Sequence, residues 1–197
     1  MKFYLSLLLA ALMLYASAAC GGGNSAGTAS KLEGPPEEIL NQILEETKDS
    51  LSDERSMPMA IISEVTADTS QNQIGLSGDD FRQYVSSASV ATAAIARFAH
   101  EIGLIQAKDA AAAAAIKDRI AGDGGYNSEK WICVMPEKSC VVESGSYVLL
   151  AVSRNDVVEA VIAAFTEAAG TVGERNEFFR FEGGVPEGSG GMGLQLN

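Results

Sequence analysis

Histidine occurs once in this chain, at His100, and cysteine three times, at Cys20, Cys133 and Cys140. A structural zinc site takes four Cys or His ligands, so this composition does not assemble one. Two thiols beyond Cys20 likewise exclude a miniprotein built on a disulfide framework. Positive charge is also short, with 14 Lys and Arg against 26 Asp and Glu and a formal net charge of -12. Nucleic acid and anionic membrane surfaces are bound through clustered Lys and Arg, so neither is an expected partner. The apolar run from Phe3 to Tyr15, interrupted by Ser6, is shorter than the about 20 residues a spanning helix needs. There is no Ser-x-x-Lys and no glycine loop followed by Lys-Ser or Lys-Thr. The side chains that usually carry chemistry are scarce, so the expectation is no enzyme, no metal and no cofactor.

What is present begins with an address. Lys2 supplies a minimal positive start, Phe3 to Tyr15 an apolar stretch, and Ala16-Ser17-Ala18-Ala19 a small-residue segment running into Cys20 and three glycines. Ala18-Ala19-Cys20 resembles the bacterial lipoprotein signal, in which the thiol takes a diacylglyceryl group before cleavage. Ser17 stands where that pattern has an aliphatic residue, which leaves ordinary signal cleavage and a free Cys20 as the competing reading. The resemblance implies a signal peptide over 1–19 and lipid attachment at Cys20. The mature chain is then held on the extracytoplasmic face of the cell membrane, firmly when two acyl chains are attached.

Residues 20–34 are mostly Gly, Ala, Ser, Thr and Asn, a composition too polar and small to bury a core, and read as a flexible tether. One domain over 35–173 follows. Pro35-Pro36-Glu37-Glu38 opens a helix with proline and carboxylates in the first turn, and Ile39, Leu40, Ile43 and Leu44 give it an apolar stripe to about Lys48. Met57 to Thr66 alternates as a strand, with Met59, Ile61 and Val65 on one side. A turn closed by Gly75 comes next, then Ser77 caps a short helix whose first turn holds Asp79 and Asp80. That pair could suggest a cation, but adjacent acids at a helix start need none.

Strands are expected over Tyr84 to Val90 and His100 to Ala107, then an alanine-rich helix from Asp109 to Ala121 stopped by Gly122. A short strand is expected over Trp131 to Met135. A hairpin about Ser144-Gly145-Ser146 joins Cys140–Glu143 to Tyr147–Val152, and a last helix covers Val157 to Ala169. Residues 174–197 read as a glycine-rich disordered tail, in which Phe178, Phe179 and Phe181 lie among charges. The sum is an α+β domain: a small antiparallel or mixed sheet of four or five strands with helices packed against it.

His100, on an apolar strand, reads as a structural residue rather than a base. Gly188-Ser189-Gly190-Gly191-Met192-Gly193 spells a dinucleotide fingerprint, but no strand precedes it and no helix follows. Cys133 and Cys140 flank Pro136, whose turn would let them close a small disulfide loop; alternatively Cys140 is a small buried hydrophobe.

Four stretches carry a family likeness: Met57-Pro58-Met59 with Glu64-Val65-Thr66; Gly75-Leu76-Ser77 with Asp80-Phe81 and Tyr84-Val85; Lys130 to Val134; and the hairpin strands. In them the chain resembles the small Gram-positive lipoproteins carrying domain of unknown function 4358, over the span from the signal to about Ala169. The functional expectation is a lipid-anchored binding or accessory protein of the cell envelope, contacting a neighbouring protein or a small solute. A self-assembling module of a membrane complex is the alternative, and an enzyme comes last.

Overall fold

A computed structural model describes residues 30–52, 57–95, 98–127, 130–131 and 134–180. The expected signal peptide, the lipid site Cys20, the disulfide candidate Cys133 and the glycine fingerprint at 188–193 lie outside them.

The first helix, α1 (Pro36–Ser50), starts on proline, carries Glu37 and Glu38 in its first turn and buries Ile39, Leu40, Ile43 and Leu44. Strand β1 (Ala60–Glu64) follows. The turn that Gly75 closes is α2 (Ser70–Ile74), and Ser77 caps α3 (Gly78–Tyr84) by accepting from the Asp80 backbone N–H at 3.1 Å. β2 (Val85–Ala93) and β3 (Glu101–Ala107) are antiparallel neighbours. Asp109 caps α4 (Ala110–Ala121), its carboxylate accepting from Ala112 N at 2.7 Å. Then come β4 (Lys138–Ser144), β5 (Tyr147–Ser153), α5 (Asn155–Ala169) and β6 (Asn176–Arg180).

The domain is α+β, and among the described residues its sheet holds six strands, all antiparallel, in the order β1-β2-β3-β5-β4-β6. The sixth strand overturns the reading of 174–180 as disordered tail. Asn176 and Glu177 pair with Val141 and Cys140, and Phe178 packs beside Tyr126 with ring centroids 5.7 Å apart. The sequence hid this because Phe178 finds its apolar neighbours some fifty residues away. The strand expected over 131–135 is absent from Trp131, Val134 and Met135, its described residues. Trp131 instead packs half-buried against the α4 side of the sheet and donates its indole N–H to Tyr126 Oη at 3.1 Å.

Two crossovers make the layers. β3 and β4 both run antiparallel to β5, which lies between them, and α4 makes the connection. β5 and β6 are related in the same way about β4, through α5. Both steps move the same way across the sheet from strands of opposite direction. Equal handedness therefore sends the two helices to opposite faces. One core lies between α1, α5 and the face bearing Ile102, Leu104, Val142 and Leu149. The second lies between α4, Ile74, Leu76 and the face bearing Ile105, Val141, Val148 and Leu150. Covered on both sides, β5 is buried along its whole length, which explains its unbroken apolar run.

Candidate interaction surface

Among the described residues the sheet ends on one side at β1, which pairs with β2 alone. Met59 O accepts from Ala94 N at 2.8 Å and Val65 N donates to Ala88 O at 2.9 Å, so the odd-numbered residues of this stretch turn their backbone groups toward β2. Ala60, Ile62 and Glu64 therefore turn theirs outward, along the free edge. Side chains alternate across the same strand. Ala60 and Ile62 pack toward α1, whereas Ile61 between them turns to the other face, and Met59, just before the strand, lies at the rim of the groove. Neither α3 nor α4 covers these two: Met59 is 74% and Ile61 61% exposed, and Ile95, just after β2, is 51% exposed. Among the described residues these are the large apolar side chains left in water. All three sit at one corner of the sheet.

Between β1 and α1 runs a groove. One hollow of about 240 Å³ is lined by Leu44, Glu45, Lys48, Met57, Met59 and Ile62 among others, and a second of about 420 Å³ by Pro35, Glu37, Glu38, Asn41 and Ile62. Asn41 and Ile62 line both, so the two hollows adjoin. Among the described residues the charge along the wall is mostly negative, and its one ammonium, that of Lys48, is 3.0 Å from Glu45.

The candidates named from sequence lie elsewhere. Cys140 is a free, buried thiol on β4, and burial pushes it up to about 11, so it stays protonated and unreactive at neutral pH. Asp80 binds Arg119 at 2.6 Å and accepts from Ser77 Oγ at 2.8 Å, while Asp79 binds Arg82 at 3.0 Å. Among the described residues no group of three His, Cys, Asp or Glu is placed to hold a metal ion. His100 is fully buried, its Nδ1 3.1 Å from Ser153 Oγ and its Nε2 without a hydrogen-bond partner among the described residues. Desolvation lowers it to about 4, so the ring is neutral at pH 7.

Beside it is a cluster that sequence reasoning missed. Glu101, 4% exposed, binds Lys130 Nζ at 2.6 Å; the same ammonium donates to Asn72 O at 2.6 Å and lies 4.5 Å from the centre of the Tyr126 ring. Tyr126 hydrogen-bonds Glu101 in turn. Burial drives the Glu101 carboxyl up, and Lys130 opposes it; burial drives Lys130 down, and Glu101 opposes it. Each charge has a partner, so the cluster ties β3 to α2 and to the chain after α4 as a structural knot. Nothing in the spacing of Glu101, Tyr126 and Lys130 announces it, since the contact is made only when α4 folds back on the sheet.

No family model, no curated protein and no solved structure matches this chain.

Proposed function

We propose that this chain is a lipid-anchored accessory protein of the cell envelope, on the extracytoplasmic face of the membrane, and that it binds another protein through the open edge at β1. The observation that carries the binding half is the gathering of Met59, Ile61 and Ile95 at one uncovered corner, beside a strand whose outward backbone groups have no strand partner among the described residues. An edge of this kind is recognised by strand addition. The anchoring half rests on the small residues leading into Cys20 and on the resemblance to lipoproteins carrying domain of unknown function 4358. A buried neutral His100 and a fully paired Glu101–Lys130 offer no base or nucleophile to a substrate, which favours binding over catalysis.

Two measurements on cells test the halves separately. Mass spectrometry of the membrane fraction should find a diacylglyceryl adduct on Cys20; a mature chain recovered from the medium with another first residue sinks the anchor. A photo-crosslinking residue at position 61 should trap a discrete envelope protein, while the same residue at the exposed position 118 on α4 should not. Equal capture from both positions removes β1 as the binding surface.

A further inference from the structure

We infer that the occupant of the β1 edge is an extended segment of a partner protein in which apolar residues alternate with Lys or Arg, added to the sheet as a seventh strand. This rests on the reading of β1 as the binding surface and names what binds there.

The backbone sets the mode. Ala60, Ile62 and Glu64 present three N–H and three C=O groups outward, enough to pair one short strand and too few for a broad sheet extension. Pro58, two residues before β1, offers no N–H to an added strand, so the incoming segment is held to about the length of β1.

The two faces of that edge differ, and the difference sets the sequence pattern. On the face away from α1, an added strand lies beside Ile61, and cross-strand neighbours there gain most by being apolar. On the α1 face it meets Glu64 from β1 itself and Glu37, Glu38 and Glu45 from the groove wall. Lys48 offsets one of these four carboxylates, leaving an acidic trough. Alternate side chains of a strand go to opposite faces, so the complementary segment alternates apolar and basic. The two hollows beside Asn41 accept the aliphatic stems of Lys or Arg, with the charged heads at the carboxylates.

A second copy of this chain fits poorly. It brings a net charge of -12, and edge-to-edge pairing would set Glu64 and the α1 carboxylates of both copies around one short ladder.

The test uses the full chain in non-ionic detergent and two synthetic probes, an alternating Val-Lys peptide and an alternating Val-Glu peptide of equal length. The Val-Lys peptide should bind roughly tenfold or more tightly than Val-Glu. Its affinity should fall several-fold as salt rises from about 0.05 to about 0.5 M. On binding, hydrogen exchange should slow at the amides of Ala60, Ile62 and Glu64. Ile61→Lys, a change at an exposed site that leaves the fold intact, should remove all three effects. Equal binding of Val-Glu, or protection arising away from β1, overturns the proposal. So does dimerisation of the chain alone with those three amides protected. If Val-Glu binds equally while the cross-link from position 61 persists, the basic segment is refuted and β1 stands as a binding surface; loss of the cross-link refutes both.

Discussion

His100 shows how one residue's environment becomes a property of the whole chain. Its pKa is about 4 in the folded protein against an ordinary value of 6.5. Between those values the unfolded chain takes up a proton that the folded chain refuses, so protons favour unfolding. The His100 contribution is complete above about pH 6.5 and is lost as pH falls toward 4, a change of about 3 kcal/mol. Glu101 acts in the opposite sense: its raised pKa keeps the folded carboxyl protonated where the unfolded one has ionised. Comparison with His100→Gln isolates the imidazole, because the Glu101 contribution is common to both proteins. Unfolding free energies measured from pH 7 to 4 should converge on lowering the pH, and parallel curves would show that the ring titrates normally in the folded state.

At the level of elements, Gly75 links local backbone geometry to the Glu101 knot. It ends α2 at φ 74°, and a Cβ there would lie 2.5 Å from both Cα and N of Tyr126. Gly75→Ala thus strains its own backbone and pushes away the residue that holds Lys130 and Trp131, at a cost of about 2 kcal/mol or more. Gly124, with φ 76° but open space around it, is the control. Gly124→Ala should cost about 1 kcal/mol. Denaturant midpoints for the two variants decide this, and equal shifts would refute the close approach. The same distinction explains what could be read from sequence. Ser77, Asp109 and Gly145 announced a cap, a cap and a hairpin turn because their partners lie within a few residues. The alternation of Ile61 with Ala60 and Ile62 was legible too. Which of its faces is left uncovered was not, since that depends on where α3 and α4 stop. The Glu101–Lys130 pair and β6 were hidden for the same reason, their partners being brought in by the crossovers.

At the level of the molecule, β6 closes the sheet opposite β1. Its Glu177 is 2.8 Å from Lys138, and Lys117, which binds Glu143 at 2.7 Å, also donates to Glu174 O at 3.2 Å. Truncation after Gly173 removes this cover and bares the Cys140–Val141 edge of β4. We predict a melting temperature lower by roughly 5 °C or more. Association should become concentration-dependent, because a second long edge is open to pairing. An unchanged melting temperature with a monomeric product would mean that β6 contributes no stability. The two ends of the strands are also unlike. The segment 30–34 enters where Lys31 N meets Ala169 O and Gly34 O meets Tyr147 Oη, at the Tyr147 end of β5, whereas Ile61 lies in line with Val152, five residues up that strand. If Cys20 is the lipid attachment site, as proposed, the domain is tethered from the Tyr147 end of β5. The β1 corner then lies roughly 17 Å along the strand direction from the point where the chain enters the domain. A partner segment that adds to β1 would then engage the end of the strands away from that entry point.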